Sequence, residues 1–456
     1  MTDLNTDVLI IGAGSIGIAA AHAIKLAVPQ IDACLVECGQ PMALTSAQSG
    51  ENYRNWWPHS VMRQFMDDSI DLMERISQDT NNRINLTRRG YMLATRAEKL
   101  STLHADLATC YGHDNIHPIR MHEPGSFPGY VPPTLAHWQE APNGVDVIAD
   151  RAIIDRHYPY FDPLVMALIH IRRGGTVDSH QMGQYMLERY RELGGKRLAG
   201  KVINIDQRKD FMVAVETADD RKTIRARQIV NAAGPFVKSI AAMIGVDLPV
   251  QNFLHQKIAF EDTAGVIDRR MPFSIDLDPQ EIDWSAEERE LIGNDPNLSR
   301  YTDEMPGAVH CRPEGADGGA WVKLGWAFNE DATEATFEPP LDDSFPEIVL
   351  RGSARLNPGL KAYYGRLPKR INHYGGFYTM TQENWPLVGP MGVNGAYVAG
   401  ALSGFGTMAA CMTGDLIARW LHGAELPDYA EALSLGRYQD GDLMLELNSA
   451  KSRGIL

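Results

Sequence analysis

The chain has 456 residues, enough for a large core and more than one domain. With 43 Lys and Arg against 58 Asp and Glu, its formal net charge of −15 argues against tracking of nucleic-acid phosphates and against docking on an anionic membrane surface. No uncharged apolar run reaches the roughly 20 residues that span a bilayer, so no membrane partner is expected, and an anionic substrate would need a locally cationic site.

Val8 to Ile11 is a short apolar run of the kind that forms a strand buried on both faces. Gly12, Gly14 and Gly17 follow it directly, and small or apolar residues then recur at helical spacing through Ile16, Ala19, Ala20, Ala23 and Ala27. A second apolar strand, Ala33 to Val36, ends in Glu37. Each part has a physical task. Gly12 makes the tight turn, Gly14 lets the backbone approach a pyrophosphate, Gly17 lets helix and strand pack closely, and Glu37 accepts hydrogen bonds from ribose hydroxyls. Phosphates would sit at the positive end of the helix, on the amides around Ala13, Ser15 and Ile16. The order strand, turn, helix, strand, acid makes this a dinucleotide site; the motif alone does not choose between dinucleotides.

Further along, Pro58 to Gln78 carries apolar residues at helical spacing, and Gly90 to Thr95 reads as a strand. His170 to Arg173 is either a cationic entrance or a solvated surface face. His180 to Leu193 is an amphipathic helix stopped by Gly194-Gly195. Val202 to Ile205, Met212 to Thr217 and Thr223 to Ala226 form a meander, and Arg227 to Gly234 is another buried strand. From Gln251 to about Lys361 the texture changes to alternating strands, interrupted by an acidic stretch from Asp276 to Asp303. The first style returns with a strand at Ala396 to Ala399, a glycine-rich loop at Gly400 to Gly406 and a helix at Met408 to Leu421. The nucleotide domain is thus interrupted by a second domain and completed near the C-terminus.

The N-terminus, Met-Thr-Asp-Leu-Asn-Thr-Asp, has no signal-peptide n-region. Cys34, Cys38, Cys110, Cys311 and Cys411 are odd in number and scattered, which suits neither a disulfide framework nor a metal site. A cytoplasmic setting is the simplest expectation.

Five separated blocks, in order, resemble the flavin-dependent amine oxidases of the D-amino-acid oxidase superfamily, in particular monomeric sarcosine oxidase and glycine oxidase. They are the opening strand–turn–helix with Glu37; Thr45-Ser46-Ala47-Gln48-Ser49-Gly50-Glu51-Asn52-Tyr53-Arg54; Thr176-Val177-Asp178 with Val202 and Ala232-Ala233-Gly234; Gly319-Ala320-Trp321-Val322-Lys323-Leu324-Gly325-Trp326; and Gly376-Phe377-Tyr378-Thr379 with Gly400 to Met408. The resemblance implies an α/β fold, with a Rossmann-like FAD-binding domain interleaved with an α+β substrate domain on a mostly antiparallel sheet. It assigns residues 1–85, 152–247 and 378–430 to the FAD domain, 86–151 and 248–377 to the substrate domain, and 431–456 to a C-terminal surface tail.

The resemblance also implies roles. FAD would be held by Gly12, Ala13, Gly14, Ser15, Ile16, Gly17, Glu37, Ser46, Gln48, Ser49, Gly50, Val202, Ala233, Gly234, Gly404, Gly406, Thr407 and Met408. Attachment would be non-covalent, because relatives with tethered flavin carry a cysteine where Gly376 stands or a histidine where Gln48 stands. Arg54 falls where the family grips a substrate carboxylate, a task that suits a planar guanidinium. Lys323 falls where it activates dioxygen with a fixed positive charge. The second carboxylate contact of sarcosine oxidase, a lysine, is replaced by Met408, which leaves Tyr378, His255, Gln256 and Arg312 as candidates to complete the substrate site. Trp56 and Trp57 either wall that site or pack in the core. The implied reaction is oxidation of the C–N bond of a secondary amino acid such as sarcosine, an N-methyl amino acid or iminodiacetate. Hydride passes to flavin N5, the imine hydrolyses, and O2 becomes H2O2. Two alternatives are a dehydrogenase that uses a quinone or protein acceptor, and a flavin-binding assembly factor without turnover. The oligomeric state is left open.

Overall fold

The computed structural model describes residues 4–111, 118–126, 129–133, 138–315 and 319–449. Leu4–Ile11 lies inside an eight-stranded sheet, parallel to Ala33–Glu37 on one side and to Arg221–Asn231 on the other. Its side chains alternate between two cores, as strand geometry requires. Val8 and Ile10 join the helices Ser15–Ala27, Ser60–Asp79, Ser179–Glu192 and Gly406–His422. Leu9 and Ile11 join Val213, Val215 and Leu248 on the opposite face. A strand buried on both sides has no polar position to spare, which is why this stretch reads as an unbroken apolar run.

The sequence pattern divides 223–234 into two strands, but Arg221–Asn231 runs continuously. Residues 224–231 of it pair with Leu4–Ile11, while its other edge takes two partners in turn. Phe211–Glu216 lies antiparallel along the first half, and Ala396–Gly400 lies parallel at the end. That second pairing returns the C-terminal part of the chain to the glycine-rich turn.

The second sheet has nine strands, in the order Ile371–Met380, Gln251–Glu261, Trp321–Trp326, Val309–Pro313, Phe273–Asp276, Tyr91–Thr95, Ala167–Ile171, Val145–Ile148 and Ile119–His122. Only the contacts between Phe273–Asp276 and Tyr91–Thr95 and between the last two strands are parallel. One face packs Ile258, Phe260, Val322, Leu324 and Trp326 against the helix Phe345–Leu356. Ala167–Ile171 pairs with both Tyr91–Thr95 and Val145–Ile148, and Ile154 joins the same core. Residues 152–171 therefore pack with the second sheet rather than the first, where the sequence division put them.

Two other expectations are corrected. His170 to Arg173 is neither an entrance nor a solvated face: His170, Arg172 and Arg173 are all buried. Tyr130 Oη lies 2.8 Å from His170 Nδ1, Arg172 pairs with Asp146, and Arg173 Nη1 donates to Asp67 at 2.8 Å. Charges inside a sheet survive only when they are paired in this way. Residues 431–449, expected as a surface tail, are docked. Leu433 and Leu447 enter the core, and Arg437 donates from Nε to Glu383 and from Nη1 to Pro386 O, each at 2.7 Å. Among the described residues no helix is long and apolar enough to cross a membrane.

Arg437 and Glu383 are both nearly inaccessible to solvent, so removing one strands the other without compensation. Arg437→Ala is expected to lower unfolding stability by about 3–5 kcal/mol in denaturant titrations. Lys361→Ala, which breaks the exposed pair with Asp283, should cost less than about 1 kcal/mol in the same assay.

Candidate active site

A cavity of about 540 Å³ is lined from both sheets. Its floor is the turn of Gly12, Gly14, Ser15 and Ile16. Gly12 adopts φ +102°, and a Cβ there would lie 2.4 Å from Ala232 O; a Cβ on Gly17 would lie 1.8 Å from Gly12 O. The turn, the helix and the neighbouring strand thus meet at a distance that only glycine permits. Gly14, at the N-cap of Ser15–Ala27, supplies no side-chain cap, and neither does Phe405 ahead of Gly406–His422. Both helices therefore leave amide donors at the cavity, the arrangement that binds anionic groups. Glu37 stands at one end, its Oε2 accepting from Ala13 N at 2.7 Å and its Oε1 from Gly39 N at 2.8 Å. Ser46 Oγ accepts from Ser15 N at 3.0 Å, and the Ser49 and Thr407 hydroxyls lie 2.7 Å apart. These contacts tie the loop of residues 45–50 to both helix starts.

A cavity with two open helix N-termini and an acid in its lining suits a dinucleotide that carries a pyrophosphate. Of the residues expected to hold the cofactor, Gly12, Gly14, Ser15, Ile16, Glu37, Ser46, Gln48, Ser49, Gly50, Val202, Ala233, Gly234, Gly404, Gly406 and Thr407 line it. Three other expected cofactor residues do not. Ala13 turns its amide to Glu37, Gly17 acts through packing, and Met408 is buried with its carbonyl accepting from Ser69 Oγ at 2.6 Å.

Of the candidate substrate residues, only Tyr378 lines the cavity. Arg54 is buried behind it. Its Nε donates to Trp56 O at 3.1 Å, and its guanidinium lies 4.9–5.4 Å from the ring centres of Tyr91, Trp57 and Trp56. Both tryptophans are packed around Arg54 and do not line the cavity. Gln256 points to the other side of its strand, where Oε1 accepts from Asp342 N and lies 2.9 Å from His373 Nε2. Arg312 is held by Glu314 at 2.6 Å and Glu51 at 3.6 Å. Lys323 pairs with Glu314 at 3.0 Å and Glu51 at 4.0 Å, and it donates to Ser49 O at 3.3 Å, directly behind the loop that lines the cavity.

Strand register explains why these groups share a neighbourhood. Lys257 lies opposite Gly325 and Tyr374, Lys323 opposite Ala259 and Arg312, His255 opposite Gly376, and His310 opposite Gly325. Directly paired residues share a face. His255, Lys257, His310, Arg312, Lys323 and Tyr374 therefore project from the face opposite the Phe345–Leu356 core. Lys257 is the residue that sequence reading missed. It lines the cavity, is 4% exposed, and holds its Nζ 5.4 Å from the centre of the Tyr378 ring. Its position two residues after His255 in an alternating strand was the available signal.

Burial sets the protonation states here. Burial, and next the positive charge of Lys257, push the pKa of His255 down to about 3; the same two causes bring His310 to about 3. Both imidazoles are neutral at physiological pH. Burial, then Arg312, lowers Lys323 to about 8 against the opposing pull of Glu314 and Glu51.

Comparison with known proteins gives the cavity its cofactor. A family model described as FAD dependent oxidoreductase matches residues 7–420. The mitochondrial dimethylglycine dehydrogenase of Mus musculus is 23% identical over 439 residues, which are 95% of this chain and 44% of that protein. The chain spans less than half the length of that curated relative. Among solved structures, L-proline dehydrogenase from P. horikoshii superposes with a TM-score of 0.71 at 16% identity, covering 96% of this chain and 99% of the other. Glycine oxidase from Geobacillus kaustophilus gives 0.69 at 15%, covering 95% and 99%. The chain belongs to the FAD dependent oxidoreductase family of D-amino-acid-oxidase type, and its cofactor is FAD.

Glu37→Ala removes the one acid among the described lining residues. Loss of charge-assisted hydrogen bonds of about 1.5–3 kcal/mol should weaken FAD retention about 10- to 100-fold, measured as the dissociation constant of FAD from reconstituted apoprotein.

Proposed function

We propose that this enzyme oxidises the C–N bond of an N-substituted amino acid, with non-covalently held FAD. The observation that carries the reading is the placement of a buried lysine, a tyrosine and two neutral histidines on the sheet face that closes the FAD cavity. FAD, when bound, supplies a two-electron acceptor for hydride. The chain's own residues bind and orient the amine, exclude water and set the local charge. Tyr378 forms one wall, edge-on to His255 at 4.4 Å between ring centres. Arg54 braces the aromatic layer of Trp56, Trp57 and Tyr91 behind it. The names of two similar proteins support the substrate class, since dimethylglycine and proline are both N-substituted amino acids. Gly376 and Gln48, which offer no nucleophile, support non-covalent attachment. Among the described lining residues the one thiol, Cys38, neighbours Glu37 at the ribose end. Five free cysteines suit a reducing compartment such as the cytoplasm.

For the second half-reaction we favour O2, with Lys323 stabilising the negative charge that develops as dioxygen accepts an electron. A dehydrogenase with another acceptor is favoured by one specific observation: Lys323 is already paired with Glu314 and Glu51.

Anaerobic mixing with sarcosine, dimethylglycine, proline and iminodiacetate should bleach the flavin absorbance with at least one of them; no bleaching with any amine would favour an assembly factor. Lys323→Met should slow reoxidation by O2 on the order of 100-fold while leaving reduction within a few-fold. Equal loss in both steps, or negligible O2 reactivity in the wild type, would point to the dehydrogenase. The sign with pH follows from the lowered pKa of Lys323. The ammonium is present below about 8, so the reoxidation rate should fall as pH rises through about 8, and Lys323→Met should abolish that inflection.

A further inference from the structure

We propose that Lys257 is the specificity-determining contact for the substrate carboxylate. This rests on the amino-acid reading above and adds the residue that enforces it. The charged groups on this sheet face pair off with one exception. Arg312 and Lys323 are matched by Glu51 and Glu314. Lys257 is 4% exposed, and no carboxylate of the described residues forms an ion pair with it. Its recorded polar neighbour is the face of the Tyr378 ring. A buried ammonium without a counter-ion is costly unless a ligand supplies one.

The surroundings favour a small carboxylate as that counter-ion. Lys257 lines the cavity, whereas Arg54 and Lys323 do not. Across one strand edge its neighbour is Gly325, where the His310 imidazole takes the place of a side chain: a Cβ on Gly325 would lie 2.2 Å from His310 Nε2. His255, two residues away, is held neutral and keeps a buried Nδ1 without a hydrogen-bond partner. The site thus offers one cation on the cavity wall and, packed edge-on against Tyr378, one uncharged imidazole, a pair that distinguishes a carboxylate beside an amine from a simple amine. The open N-terminus of Gly406–His422 would supply donors to the electron-rich part of a bound flavin. A neutral N-substituted amine lacking the acid would leave the ammonium uncompensated and be rejected for that reason.

The test uses holoenzyme and isovalerate, the carbon isostere of dimethylglycine, which carries the carboxylate but no oxidisable nitrogen. Binding is read from perturbation of the flavin spectrum, with isovaleramide as the uncharged control. Wild type should bind isovalerate and discriminate against the amide. Lys257→Met should weaken isovalerate binding on the order of 10- to 100-fold, with FAD content unchanged, and Lys257→Arg should restore part of it. An unchanged isovalerate constant in Lys257→Met would overturn the inference, as would loss of FAD rather than of isovalerate. A comparable loss confined to Arg54→Met would transfer the role to Arg54 and overturn it equally. Failure of the parent reading has a different signature: wild-type flavin that no amino acid bleaches.

Discussion

The alternation of side chains along a strand is the constraint on which the site depends. In Gln251–Glu261, Ile258 and Phe260 face the core under Phe345–Leu356, while His255 and Lys257 face the cofactor domain. A slip of one residue against either neighbour would drive Lys257 into that core and expel Ile258. The register is held from both edges, by Trp321–Trp326 and by Ile371–Met380, with ten residue pairs along the latter. Packing on one side of the sheet therefore fixes chemistry on the other. The geometry of the polar face is as rigid as the apolar core beneath it.

Much of the cofactor half was legible in the sequence because its constraints are local. Gly12 needs a backbone conformation and a clearance that only glycine meets, and Gly17 needs the clearance alone; both requirements leave their mark within a few positions. The substrate half resisted reading because its constraints are distant. Lys257 in an apolar strand resembles any exposed strand lysine until the pairing partners on both edges are known. His170 to Arg173 looks like a surface charge cluster, yet Asp146 and Asp67 bury it from far along the chain. Met408 stands where a relative uses a lysine, but its side chain is core and its carbonyl serves Ser69. The C-terminal segment reads as polar because its anchor is an arginine; Glu383 and the Pro386 carbonyl make that arginine a core residue.

Charge has to be considered at two scales. The chain as a whole carries a formal charge of −15, which repels small anions from its surface. Capture of a carboxylate must then depend on a cation inside the site, where the lower effective dielectric strengthens the attraction. Neutral His255 and His310 serve the same end. Were either protonated, a second positive charge beside Lys257 would have to be buried at considerable cost. Burial and the lysine itself prevent this by pushing both imidazoles down.

Lys323 follows a different rule, and its surroundings bear on the choice of electron acceptor. A lone buried cation exerts a field that reaches a developing anion several ångströms away. Paired with Glu314 at 3.0 Å, the same cation becomes one end of a dipole, whose field decays faster with distance. Arg312, Glu314 and Glu51 complete a group of two positive and two negative charges with no formal net charge. Stabilisation of charge on dioxygen then depends on which member of the group lies nearest to it. Ser49 O links Lys323 to the loop that lines the cavity, Glu51 follows that loop directly, and Glu314 is shared with Arg312. Acceptor preference is thus a property of the four-charge group, and a strand lysine at this position is by itself too little to confer it.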